Sequence, residues 1–366
     1  MNAGNRRSSR VMNDVGLVLL NMLISVKEGR FMKKKDWLIA ITIAALIAAF
    51  IMFKPFAKEE KIVLLATDSG WDSQKFHNAV AKIILENAFD GYEMNFSTAS
   101  GNMNWQSLLT GDIDVSIECW TENMRTYKED KARGDIIDVG VVVPDSTQGF
   151  YVPRYVVEGD AVSGIKPMAP DLRHVRDLAK YAHVFPDDET PSKGRIYGGL
   201  PGWSTDDILY KKYKYYGLEG KFTYMRLGSE AAIFTSLSSS YNLRQPWVGY
   251  CYEPTWVTGK LDLIRLEDEP YDEADFFEGK TEFPQQELKI VSSRQFREKV
   301  SPEVYSFFQK YRTGSAGVSA ALAYLDETKA THVDTAVWYL KNNDALIDEW
   351  LPAKNAAKIR RYLATM

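Results

Sequence analysis

Four aromatic residues stand where an open α/β sheet presents its ligands. Trp71 follows the apolar run 61–66 across a turn-rich loop, and Trp120 ends a run that begins at Asp114. Trp203 lies in the glycine-rich stretch 199–203, and Tyr252 ends a run that begins at Trp247. Ligands of such sheets bind at the loops leaving the carboxyl ends of strands. A hydrophobic core draws its aromatics from inside strands and helices, not serially from strand exits beside Gly and Pro. Core packing is the plainer account of any one of the four; four in one role, two in each half of the chain, predict a box of ring faces. A quaternary ammonium ion suits such a box, because it donates no hydrogen bond and is attracted by ring quadrupoles and apolar contact. Each well-placed face contributes about 0.5–2 kcal/mol once water is excluded, and micromolar capture requires about −8 kcal/mol in all, so carboxylate contacts must add to the rings. A sugar also stacks on indole and is the nearest competing ligand. Sugar sites, however, surround the ring with Asp, Asn and Arg, which these loops carry sparsely.

The polar candidates have two readings each. Asp72 adjoins Trp71 and either faces the ammonium or, like Ser73, caps the helix that follows. A ligand carboxylate is met most simply by backbone N–H groups at the helix starts after Gly70 or Gly202, or at Gly228-Ser229. The hydroxyls of Ser204, Thr205 and Ser229 either assist there or cap helices. Pro254, beside Glu253 and Trp256, suggests a hinge strand, and Trp105 and Trp247 read as core. Cys119 and Cys251 each precede a cage candidate, so they alternate away from the cleft as buried free thiols.

No catalytic set, metal site or cofactor is expected. The four histidines (His77, His174, His183 and His332) lack ligand spacing, and two cysteines make neither a disulfide framework nor a zinc cluster. The chain has no Gly-x-Ser-x-Gly elbow, phosphate loop or dinucleotide fingerprint. Asp112 and Asp114 fall at a strand's entrance, the wrong end for a parallel-sheet site. The pairs Lys211-Lys212 and Arg360-Arg361 read as solvated faces.

The elements that must position the aromatics alternate. Apolar runs at 61–66, 92–98, 114–120 and 136–143 are separated by helical patterns, the first with Phe76, Val80, Ile83, Ile84 and Ala88 on one face and the second (102–109) closed by Gly111. A second unit begins near Gly149, with helices at 172–182, from Trp203 towards Tyr216, and from Ser229 to Ser236. Its strands are placed at 195–198, 222–227 and 247–252. An acidic loop (267–278) and helices at 302–312, 315–327, 333–342 and 345–364 complete the chain. This alternation predicts an α/β protein of two lobes, each a mostly parallel sheet flanked by helices: lobe I from 61–148 plus 257–366, lobe II from 149–256, joined by two crossings.

Charge separates the first sixty residues from the rest: they hold 10 Lys/Arg against 5 Asp/Glu, whereas the remaining 306 hold 35 against 44. An acidic body does not attract nucleic acid. Within 32–56, Lys33, Lys34 and Lys35 precede the run 37–53, apolar except for Thr42. This is the layout of an export signal or a single membrane anchor with the lysines inside and everything after Phe53 outside. With no small-residue cleavage site at the exit, an uncleaved tether is expected. Residues 1–31 do not fit a short basic start; they read as a non-native extension, with translation beginning at Met32, or as a cytoplasmic tail.

A set of short motifs makes the reading specific. Ser69-Gly70-Trp71-Asp72, Gly111-Asp112-Ile113-Asp114-Val115 leading to Glu118-Cys119-Trp120, Tyr151-Val152-Pro153, Pro201-Gly202-Trp203, Tyr216-Gly217-Leu218, Gly228-Ser229 and Tyr252-Glu253-Pro254-Thr255-Trp256 occur in that order. Over residues 60–320 the chain thereby resembles the glycine betaine/proline betaine/choline-binding family of ABC importers. The resemblance implies a type II periplasmic-binding-protein fold that closes over its ligand like a hinged clamp, with Trp71, Trp120 and Trp203 as cage walls. Tyr252 stands where many relatives have Trp. It implies no enzyme, a betaine, choline or carnitine ligand, an extracytoplasmic location, and a permease and ATPase on separate chains. A tethered ligand sensor and a choline-ester hydrolase are the alternative roles.

Overall fold

The computed structural model describes Thr42 and residues 60–366. The 1–31 extension and the rest of the 32–56 export or anchor segment lie outside the described residues. Among the described residues, no helix is long and apolar enough to cross a membrane.

Two five-stranded sheets form the body. The first holds β1 (Ile62–Asp68), β2 (Tyr92–Thr98), β3 (Val115–Cys119), β4 (Ile136–Ser146) and β10 (Gln286–Ser293), in the order β2-β1-β3-β10-β4. The second holds β5 (Gln148–Pro153), β6 (Gly194–Tyr197), β7 (Phe222–Met225), β8 (Gly249–Tyr252) and β9 (Leu263–Arg265), in the order β7-β6-β8-β5-β9. In the first sheet β10 is antiparallel to β3 and β4, and in the second β5 is antiparallel to β8 and β9; the other pairings are parallel. Four strands of each sheet therefore share one direction, and the single reversed strand, β10 or β5, lies between two of them. Leu64, Ala66, Val115 and Ile117, at alternate positions along their strands, are fully buried, whereas Val63 on the other face of β1 is exposed. Helix α1 (Asp72–Ala88) lays Phe76, Val80, Ile83, Ile84 and Ala88 into this core, and α2 (Gly101–Thr110) ends at Gly111 with φ +82°. That left-handed backbone is why glycine closes the helix.

Several expectations are corrected. The second sheet reaches past the boundary expected at residue 256. The chain leaves β8, packs α5 (Trp256–Lys260) against α6 (Ser315–Thr328), with Gly259 close to the Ser319 carbonyl, and then returns as β9 beside β5. The two expected crossings are thus too few. The helix expected at 172–182 is a short 3-10 segment, Val175–Lys180. The helix expected over 345–364 is two, Asp344–Trp350 and Ala353–Leu363. Pro352 has no N–H to continue the first and holds Leu351 extended (φ −125°, ψ 147°).

Lys212 is not on a solvated face. It lies buried on α3 (Ser204–Tyr215), paired with the Asp268 carboxylate and donating to the Thr281 carbonyl at 2.6 Å. This pair ties the 268–283 excursion to α3, and Gly279 makes the approach possible: its φ is +70°, and a Cβ there would sit against Lys212 N and 2.7 Å from Ile208 O. Gly279→Ala is expected to destabilise the protein by about 2–3 kcal/mol through backbone strain and overlap, read as a lowered denaturation midpoint in urea.

Candidate functional site

The same local device presents two of the four aromatics. Gly70 (φ +97°) and Gly202 (φ +90°) each turn the chain in the left-handed region, so that the next residue, Trp71 or Trp203, becomes the N-cap of a helix, α1 or α3. Neither N-cap makes a side-chain capping bond, which leaves both indoles free to face the cleft. Gln74 fixes the first turn: its Oε1 accepts from Ser69 N at 2.6 Å, and its Nε2 donates to Thr67 Oγ1 and the Glu118 carbonyl, each at 3.1 Å.

Trp71, Trp120, Trp203 and Tyr252 line one cavity, joined by Tyr250. Trp71 and Trp203 have centroids 5.8 Å apart at 89°, and Trp120 and Tyr252 are 5.3 Å apart at 86°. Trp203 also meets Tyr252 at 6.2 Å and 78°, and Tyr250 at 6.4 Å and 74°. In both close pairs one ring belongs to a loop of the first sheet and the other to the second, and near-perpendicular neighbours are what adjoining walls of a box require. Other bonds also cross the cleft. Ser204 Oγ donates to Asn102 Oδ1 at 3.0 Å, Asn123 Nδ2 donates to Thr205 Oγ1 at 3.1 Å, and Arg125 reaches Glu278 at 2.9 Å.

Two buried carboxyls stand behind the rings, and neither was assigned a role from the sequence. Glu118, on β3, accepts at Oε1 from Trp71 Nε1 (2.8 Å), Trp120 Nε1 (3.0 Å) and Ser73 Oγ (2.9 Å), so one oxygen orients two cage walls. Its Oε2 has no hydrogen-bond partner and lies 3.7 Å from His77 Nε2. Burial pushes the Glu118 carboxyl up to about 7 against the three donors, which pull it down. Burial also lowers His77 to about 3, so the imidazole, held by Tyr311 OH at 2.8 Å, is neutral. Glu230 opens α4 (Glu230–Asn242); it accepts from the backbone N of Asp72 at 2.8 Å and from Tyr252 OH. Burial, and after it the Asp72 carboxylate, raises Glu230 to about 8. The signal for Glu118 was present in alternation along its strand, which places Ser116, Glu118 and Trp120 on one side.

The other candidates are placed as follows. Ser204 and Thr205 line the cavity, whereas Gly70, Asp72, Gly202 and Ser229 do not. Asp72 is the first helical residue and not the cap; its carboxylate meets His332 Nε2 at 3.1 Å and its backbone N–H is taken by Glu230. Ser229 caps α4, accepting from Ala232 N at 3.2 Å. Trp105, read as core, is buried with its Nε1 on Asp130 at 2.9 Å, yet it also touches the cavity. Asp114 is held by Leu65 N and Lys299, both at 2.7 Å. Cys119 and Cys251 are buried and free, but Cys119, expected to turn away from the cleft, lines the cavity.

Comparison with known proteins accords with this architecture. The family described as the substrate-binding domain of ABC-type glycine betaine transport systems matches residues 61–342. No curated protein matches the chain significantly. Among solved structures, a glycine betaine/L-proline-binding protein from Borrelia burgdorferi is 19% identical with a TM-score of 0.63, covering 81% of this chain and 99% of its own. An ABC-transporter choline-binding protein in complex with choline is 20% identical with a TM-score of 0.62, covering 83% and 99%. A lactococcal protein closed on glycine betaine is 18% identical with a TM-score of 0.61, covering 79% and 99%. At these identities the likeness shows the two-lobed fold, while the family match spans most of the chain. The chain therefore belongs to the family of substrate-binding domains of ABC-type glycine betaine transport systems.

Proposed function

We propose that this protein captures a quaternary-ammonium solute between its lobes, holds the methylated nitrogen against Trp71, Trp120, Trp203 and Tyr252, and delivers it to an ABC permease. The observation that carries this reading is the convergence of rings from both lobes on one cavity. Because walls come from both sides, ligand affinity and lobe closure are coupled: the ligand favours whichever arrangement brings the rings together. The lobes are 61–148 with most of 257–366, and 149–256 with the β9 excursion. The protein works outside the cytoplasmic membrane, tethered by residues 37–53, with permease and ATPase on separate chains. It performs no catalysis; the acid groups at the cavity orient rings.

Isothermal titration calorimetry with choline, glycine betaine, proline betaine, carnitine and glucose tests the proposal. At least one quaternary amine should bind with a Kd in the low micromolar range, about −8 kcal/mol, and glucose should give no heat. Binding of the sugar alone would sink it.

A further inference from the structure

We infer, resting on the reading above, that the site selects a net-cationic quaternary ammonium whose tail donates a hydrogen bond, of which choline is the simplest, over zwitterions whose tail is a carboxylate. The cavity wall is rich in acceptors, and most of its indole and phenol donors are already committed. Both Trp71 Nε1 and Trp120 Nε1 donate to Glu118. Tyr252 OH is spent on Glu230, Tyr250 OH on Gln148 Oε1 at 3.0 Å, and Ser204 Oγ on Asn102 at 3.0 Å. Among the described residues, the wall holds a carboxyl group, Glu118, and no Lys, Arg or His.

Two lining residues keep a buried oxygen with no hydrogen bond, Glu118 Oε2 and Asn104 Oδ1. The Asn104 amide is oriented by its own donors: Nδ2 reaches Ser69 Oγ at 2.8 Å and the Ala99 carbonyl at 3.3 Å, and a carbonyl only accepts. An alcohol O–H satisfies such an oxygen, whereas a carboxylate is repelled by it. The helix start expected to receive a ligand carboxylate after Gly70 is occupied by the chain's own Glu230, which takes the Asp72 N–H. The start of α3 does reach the cavity through Ser204 and Thr205, but its first turn carries Asp207, which opposes a second anion there, beside Asp206, whose charge Arg226 offsets at 2.7 Å.

Calorimetry at pH 7.5 with choline, glycine betaine and ethyltrimethylammonium, on the wild type and Asn104→Leu, tests this. Choline should bind at least tenfold more tightly than glycine betaine. Asn104→Leu should weaken choline about fivefold or more while leaving ethyltrimethylammonium, which has no hydroxyl, within about twofold. Glycine betaine binding as tightly as choline or tighter overturns the selectivity and leaves the aromatic cage standing. Equal losses of choline and ethyltrimethylammonium in the variant overturn the assignment of Asn104. Failure of all three ligands to bind the wild type removes the underlying proposal instead.

Discussion

Trp203→Ala should abolish detectable quaternary-ammonium binding, a loss of at least a hundredfold or about 2.7 kcal/mol, while the protein stays folded. Trp203 is the ring that joins the two pairs: it meets Trp71 from the other lobe and both Tyr250 and Tyr252 within its own. Removing it deletes a π-face worth about 0.5–2 kcal/mol and the main aromatic contact that Trp71 makes across the cleft, so direct binding and closure both suffer. Its side chain is half-buried and makes no capping bond to α3, so no buried polar group is orphaned. Calorimetry with choline, paired with thermal unfolding of the ligand-free protein, checks both halves. Trp203→Phe, which restores a smaller face, should recover much of the loss. An unchanged Kd in the alanine variant removes Trp203 from the site.

Trp71 and Trp203 were legible in the sequence because their signal is local: a strand exit, a positive-φ glycine, a tryptophan and a helix start lie within a few residues, whereas Trp120 and Tyr252 were marked by the strand end alone. Apolar periodicity likewise located β1, α1 and β3 to within a residue or two. What stayed hidden depends on contacts distant in sequence. Glu230 is 158 positions from the Asp72 N–H it accepts, and as the first residue of a helix it reads as an ordinary acid favoured by the dipole. Lys212 belongs to a helix with Lys211, Lys214 and Asp207 around it, and only the return of residues 268–283 buries it. β9, which carries the second sheet past residue 256, was hidden because it is three residues long and carries no periodic signal. Glu118 sat in plain view within the motif. Alternation along its strand puts it on the side of Trp120, but the bond from Trp71, 47 positions away, is not visible in that pattern.

The arrangement also makes a compromise visible. Glu118 and Glu230 are both buried with carboxyls raised above their ordinary range, so each lowers stability when ionised. For a folded-state value that is raised, the favourable contribution is complete at low pH and is lost as the pH climbs through the window between the ordinary value and the raised one. Buried acids of this kind persist where they organise a site; here one orients the rings of the first lobe and the other joins the lobes.

Glu230→Gln should therefore change how affinity depends on pH. With the lobes as they stand in this structure, Glu230 accepts from Asp72 N and Tyr252 OH and is raised to about 8 from an ordinary 4.5. When the lobes part, the side chain meets water and returns towards the ordinary value, so closing takes up a proton between those limits. Closure is then strongest at low pH and weakens as the pH rises, by up to tenfold per unit. The charged and titratable groups facing it are Asp72 and Lys75 on α1 and the Tyr252 phenol on β8, with His332 against Asp72. All of these, and Glu118, are retained in the variant, so the ratio of wild-type to variant Kd isolates Glu230. Glutamine accepts the same two bonds without ionising, and the ratio should grow at least tenfold between pH 5.5 and pH 8, measured by calorimetry with choline. Glu230→Ala, which leaves Tyr252 OH and Asp72 N without an acceptor, should bind about 1–3 kcal/mol more weakly than Glu230→Gln at every pH. Parallel pH profiles for wild type and Glu230→Gln would show that the carboxyl holds the same proton whether the lobes are open or closed, and the latch would have no electrostatic part in ligand capture.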